Sequence, residues 1–352
     1  MTEPAPPPLV ADDCAPADDS PSRPLAVTVL RSLGGLLAGV LVAALAAWYF
    51  GVKASEVARS VGGVSGWAVL GCVASAYVML GLQALRWHRV MGPLLGLRYL
   101  DAYKAQIVGV LFNALLPARG GDLLRVQYLG RRTGKSRATI LGTEIVDRWL
   151  DYWGWIPTFL VLALVSHPPV WLYQALAVFG GALLALGSAM LLLTRSGWQP
   201  RLGSRFGQFL LSLRSGVAAC RERRIWVTAL LIAPLPWIWE PIAISLSSHA
   251  FGLDLSLVQA FAVMIGFNLA MVVPSPGAIG TVEAGGVAAL LSFGCDQNQA
   301  LAFMFVYHFS QLLPGVAGGA AVLMWDGERM FGSRAGAASP ARPEGPGLSA
   351  SP

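Results

Sequence analysis

Apolar residues in this chain gather into long unbroken runs, and a run of roughly 20 is what a helix needs to cross about 30 Å of hydrocarbon. Six runs reach that length, at approximately 33 to 52, 64 to 85, 144 to 165, 170 to 193, 225 to 247 and 300 to 325. Trp48, Tyr49, Trp67, Trp171, Trp226 and Trp325 fall near their ends, where amphipathic rings favour the membrane interface. Two further apolar stretches are interrupted. Phe112 to Arg125 carries Pro117, Gly120 and Gly121 together with Arg119, Asp122 and Arg125, and Phe267 to Glu283 carries Pro274, Pro276, Gly277 and Gly280 before its carboxylate. Proline removes a backbone donor and collides with the preceding helical turn, so each stretch reads as a broken helix that dips into the membrane and returns.

The order is then span, span, hairpin, span, followed by the same order again. The expected fold is all-α: a polytopic integral membrane protein of about six transmembrane helices with two re-entrant broken-helix hairpins in an inverted repeat. Eight transmembrane helices are the alternative. The expected organisation is a disordered tail at 1–24, one transmembrane domain at 25–330 with halves of about 30–165 and 170–325, and a second disordered tail at 331–352.

Charge adds orientation to this picture. Arg23 and Arg31 precede the first run, and Arg86, Arg89, Arg98 and Lys104 follow the second. Arg131, Arg132, Lys135 and Arg137 precede the third, and arginines from Arg195 to Arg224 separate the fourth and fifth. From Ile225 to Glu328 there is no Lys or Arg. Short cytoplasmic loops hold the positive excess, so both termini are expected in the cytoplasm of a bacterial inner membrane. The first hairpin should enter from the cytoplasm and the second from the outer side. Between the fourth and fifth runs, Phe206, Phe209, Leu210, Leu213 and Val217 share a helical face beside Arg205, Arg214 and Arg221. That face suits either a helix on the anionic inner leaflet or one packed on protein.

Composition agrees. The chain has 352 residues, 55% hydrophobic and 12% charged, where soluble domains carry about 25% charged residues. The net charge of +6 belongs to the loops and implies no nucleic-acid partner. Cys14, Cys72, Cys220 and Cys295 stand too far apart to suggest a metal site or a disulfide framework, and no Walker loop, nucleophile elbow or dinucleotide fingerprint occurs. No metal and no cofactor are expected.

Candidate chemistry lies in the charges that fall within apolar segments, which are costly and need partners or water. Glu144, Arg148 and Asp151 stand at i, i+4 and i+7, on one helical face, with Asp147 beside them. In the first hairpin, Arg119 and Arg125 could hold a lipid phosphate through forked hydrogen bonds, near a half-helix N-terminus that itself favours an anion. Asp122 would orient one of them or pair with Arg148; the alternative is an elbow whose charges satisfy one another. In the second hairpin, Glu283 could bind a cation or proton, cap a helix or pair with an arginine. Glu240 and His308 are candidates for proton coupling, against capping and packing roles.

At these residues the chain resembles the lysylphosphatidylglycerol synthase transmembrane-region family, also called flippase-like domain proteins. The resemblance rests on Asn113 to Pro117, Arg119, Gly121-Asp122 and Arg125, then Asp147-Arg148 with Asp151, and finally Pro274, Pro276-Gly277, Gly280 and Glu283. Asp122 and Asp147 stand where the family usually has Glu, and Ala278 where it often has Gly. The likeness implies a lipid translocase that moves a polar or anionic lipid, aminoacylated or glycosylated, between leaflets without a catalytic site of its own. Its partners would be membrane lipids and a separately encoded lipid synthase or glycosyltransferase. The alternative is the membrane part of a lipid-modifying aminoacyl or glycosyl transferase system. The expected headgroup site comprises Asn113, Pro117, Arg119, Gly121, Asp122, Arg125, Glu144, Asp147, Arg148, Asp151, Pro274, Pro276, Gly277, Gly280 and Glu283, with Glu240 and His308 for coupling.

Overall fold

The computed structural model describes residues 55, 59, 61–116, 119–165, 170–194, 205–218, 222–273 and 275–331. The predicted run at 33 to 52, the tail at 1–24, the chain past Phe331, and Pro117 and Pro274 lie outside the described residues. Among those residues every regular element is helical, in a polytopic membrane protein.

The first long helix, α1 (Gly66–Leu95), starts where the Ser65 side chain accepts the Ala68 amide and stops at Gly96, whose φ of 64° closes the helix. It runs ten residues past the predicted run at 64 to 85. Arg86 and Arg89 therefore belong to a helix and not to a basic loop, a correction the hydropathy window missed because charge ended the run before the helix did.

The first hairpin follows as α2 (Tyr99–Leu115) and α3 (Gly121–Thr133). Between them Leu116 turns extended and Arg119 takes a φ of 55°. The two arms touch backbone to backbone at the crossing. A Cβ on Gly121 would collide with the carbonyl oxygen of Gly109, so only glycine fits there.

A 29-residue helix, α4 (Arg137–Val165), and α5 (Val170–Thr194) come next. After them α6 (Arg205–Ala218) lies on α4 where Gly142 meets Gly216. Leu213 and Val217 of α6 are buried while Phe209 is exposed. Half of its apolar face thus packs on protein; the side chains of Phe206 and Leu210, and Arg221, lie outside the described residues.

The predicted run at 225 to 247 is two helices, α7 (Arg223–Ile232) and α8 (Leu235–Ser248), within one membrane-length segment. Pro234 explains the break, because it cannot donate to the turn before it.

The second hairpin is α9 (Leu257–Ala270), a single 3₁₀ turn (Pro276–Ala278) and α10 (Thr281–Ser292). Ser256 and Gln259 form a capping box at its start. Its arms also cross on glycine: a Cβ on Gly266 would lie 2.8 Å from the Gly285 carbonyl oxygen. The last helix, α11 (Gln297–Phe331), continues through Pro314.

Three described segments are long and apolar enough to cross a membrane: Gly66–Leu95, Arg223–Phe251 and Gln297–Asp326. The arms α3, α9 and α10 have 13, 14 and 12 residues, about 18 to 21 Å at 1.5 Å per residue. That is short of the hydrocarbon core, whereas the remaining arm, α2, has 17 residues.

Two packed cores hold the hairpins. Trp87, Met91, Tyr128 and Leu129 join α1 to the first. Phe261, Met264, Phe303 and Met304 join the second to α11.

Candidate functional site: a charged cavity between two hairpin tips

The hairpin tips meet. A Cβ on Gly277 in the second would lie 3.5 Å from Ala114 Cα at the end of α2. Gly277 has a φ of 61°, a backbone that admits glycine most readily, and this turn lets the two breaks approach.

Each break is closed by a side chain from an unexpected quarter. Asn113 Oδ1 accepts the Gly121 amide at 2.8 Å and its Nδ2 donates to Asp122 at 3.3 Å, so the asparagine caps the second arm of its own hairpin. Asn268, its counterpart in sequence, instead donates to the Met264 carbonyl oxygen at 2.9 Å. The cap in the second hairpin comes from Glu283, whose Oε2 accepts the Gly280 amide at 2.7 Å. Its Oε1 lies 2.8 Å from His308 Nδ1 on α11. Phe112-Asn113 and Phe267-Asn268 open the two breaks with the same pair of residues, but the two asparagines play different roles.

Beside the tips lies a cavity of about 600 Å³. Its polar wall comes from Arg119 and Asp122 of the first hairpin, Arg148 and Asp151 of α4, Glu240 of α8, and His308 of α11. Asn113 and Gly277 line it too, as do apolar residues including Phe267, Met271 and Val282. On α11, Tyr307, His308, Gln311 and Leu312 present one helical face to it.

Behind that wall runs a buried ion network. Arg148 Nε lies 2.9 Å from Glu144 and its Nη1 lies 3.4 Å from Asp151, as the helical spacing predicts. Arg125 is 1% exposed. It donates to Glu144 and to Gln106, its guanidinium carbon lies 4.6 Å over the Trp87 ring, and its Nε stands 3.9 Å from Asp122. Arg125 thus sits in the wall and does not line the cavity, and Glu144 and Asp147 are buried with it. Gly121, Gly280 and Glu283 shape the tips without lining the cavity, and the Pro276 side chain lies outside the described residues.

Sequence reasoning missed Arg86. Its Nε and Nη2 donate to the two oxygens of Asp147 at 2.8 and 3.2 Å, and its Nη1 donates to Asp151 Oδ1 at 2.5 Å. Trp237 adds a donor to Asp151 at 3.3 Å. A signal existed: between residues 144 and 151 three acids, Glu144, Asp147 and Asp151, face one arginine, Arg148, and buried acids need cations from other elements.

Residues 36–319 match the family model described as the lysylphosphatidylglycerol synthase transmembrane region. The chain belongs to that family. It is also similar to a UPF0104 membrane protein of Methanothermobacter thermautotrophicus, 26% identical over 292 residues that cover 72% of this chain and 84% of the relative. The matched family region takes in both hairpins, the α4 network and most of α11, so the cavity is built wholly from family residues.

Arg86, Arg125 and Arg148 are each held by carboxylates within the network. Arg119 differs: it is exposed to the cavity and, among the described residues, forms no ion pair. Chemically, the described residues offer a guanidinium outside any ion pair at the tip of a half-helix, a second one partly engaged, and an apolar flank.

Proposed function

We propose that the protein is a lipid translocase, passing the polar headgroup of an anionic lipid between leaflets through the cavity where the hairpin tips meet. The observation that carries this reading is Arg119, which forms no ion pair among the described residues although Asp122 and Asp151 lie within electrostatic reach, and which faces a cavity with an apolar flank from the N-terminal end of α3. A guanidinium there suits a phosphate, which it grips in a planar fork, and the aligned amides of α3 add favourable potential for an anion. Arg148 of α4 lines the same cavity and supplies the second contact. Broken helices whose ends converge mark the substrate site in transporters built from inverted repeats, and membership in a family described by a lipid synthase's membrane region agrees with a lipid substrate. In this reading the membrane is the inner membrane and both termini are cytoplasmic.

The test is a reconstituted-liposome assay that follows the outer-leaflet exposure of fluorescently labelled phosphatidylglycerol. The intact protein should speed exchange between leaflets. Arg119→Ala should slow that exchange by about 10-fold or more, since a hydrogen bond to a charged group contributes roughly 1.5 to 3 kcal/mol, while melting unchanged. No acceleration by folded protein for labelled anionic lipids would overturn the proposal.

A further inference from the structure

Glu240 stands apart from every other carboxylate at the cavity. Asp122 and Asp151 are held by Asn113, Arg86, Arg148 and Trp237, and Glu283 by Gly280 and His308. Glu240 lines the cavity from α8, partly buried, one residue before Pro241, and it makes no hydrogen bond or ion pair among the described residues. The groups around it come from several elements. They are Asp151 and Arg148 from α4, Tyr307 and His308 from α11, and Arg119 and Asp122 of the first hairpin, which line the same cavity. Asp151 and Tyr307 are near enough to feel its charge directly.

Charge balance gives this solitary group a role. In number Arg86, Arg119, Arg125 and Arg148 balance Asp122, Glu144, Asp147 and Asp151, and Glu283 has His308 beside it. An ionised Glu240 is then an unbalanced negative charge in the wall, tolerable only while water fills the cavity, because an isolated buried carboxylate is costly. An anionic headgroup that enters brings a second negative charge and displaces that water.

We infer that Glu240 takes up a proton as an anionic headgroup enters, so that lipid and proton load together and the cavity's charge does not change. The inference rests on the translocase reading and adds a coupling ion to it. The proton moves from the aqueous side to a Glu240 carboxylate oxygen, turning the carboxylate into a neutral acid as the headgroup adds one negative charge. Linkage is reciprocal: if the anion favours the protonated acid, protons favour anion binding. The neutral Glu240 acid would also offer a hydrogen-bond donor that the ionised form lacks.

The experiment is calorimetric titration of the full chain in detergent with short-chain phosphatidylglycerol, in two buffers of different ionisation enthalpy and over a range of pH. Wild type should take up a fraction of a proton, rising to about one, and its affinity should fall up to about tenfold per pH unit above the titration of Glu240. Glu240→Asp should keep the uptake. Glu240→Gln should lose both the uptake and the fall in affinity, with melting behaviour showing that it is folded. Binding without proton uptake in the wild type overturns the coupling and leaves the translocase reading intact. So does uptake that persists in Glu240→Gln but is lost in His308→Gln, which would assign the proton to the Glu283 and His308 pair. No binding of the lipid at all overturns both.

Discussion

Arg86 on α1 holds Asp147 on α4 at two points, Nε to Oδ1 at 2.8 Å and Nη2 to Oδ2 at 3.2 Å, with both side chains 1% exposed. The pair ties a membrane-length helix to the helix that carries Arg148 into the cavity, so the position of one cavity arginine depends on a residue that never touches the cavity. Removing one partner of such a pair strands a buried charge, whereas removing both does not. Arg86→Met alone and Asp147→Met alone should each destabilise the protein by about 3 kcal/mol or more, and the double variant should be less destabilised than the sum. Chemical denaturation in detergent of the four proteins of the cycle measures this. Strict additivity would show that the two side chains do not act as a pair.

The crossing of the first hairpin makes a second prediction. A methyl group on Gly121 would run into the Gly109 carbonyl oxygen, with Asn113 also close by, and neither backbone can retreat cheaply. Gly121→Ala should cost about 1 to 3 kcal/mol and slow lipid exchange, because the tip carrying Arg119 would be displaced. Gly71→Ala on α1 has nothing within 4 Å of the added carbon and should be neutral or stabilise by up to about 1 kcal/mol. Thermal melts of the two variants side by side separate a steric effect from a general intolerance of alanine.

Membrane orientation can be read with native and introduced thiols. Cys295 lies in the turn between α10 and α11, far along the chain from the Lys- and Arg-rich turn around Ser136. With Cys14, Cys72 and Cys220 replaced by Ala, an impermeant maleimide should reach Cys295 from outside intact cells. Ser136→Cys, in a background that also lacks Cys295, should label only after permeabilisation. Burial raises the Cys295 thiol above its ordinary range, and the thiolate is the reactive form, so its labelling should speed up as pH rises from about 7 to 9. The opposite pattern of access would invert the orientation.

Much of this architecture is local, and local features are legible in a chain read by itself. A run of apolar residues declares a membrane helix wherever it packs, and a proline with two glycines breaks one for reasons of backbone geometry. The i, i+4, i+7 spacing of Glu144, Arg148 and Asp151 brings them together on any α-helix, and both Arg148 pairs form as the spacing implies. Partner choice between helices is another matter. Arg119 and Arg125 sit six residues apart in one motif, yet Arg119 faces the cavity while Arg125 is locked between Glu144, Gln106 and Trp87, because partners from α1, α2 and α4 enclose the second and not the first. Arg86 reads as a loop charge until α1 is seen to continue to Leu95. Hydropathy and helix spacing determined the membrane fold and the two breaks; packing alone decided that the tips meet, and which arginine and which carboxylate form no ion pair among the described residues. Those outcomes depend on distances between segments far apart in sequence, and no periodicity within one segment encodes them.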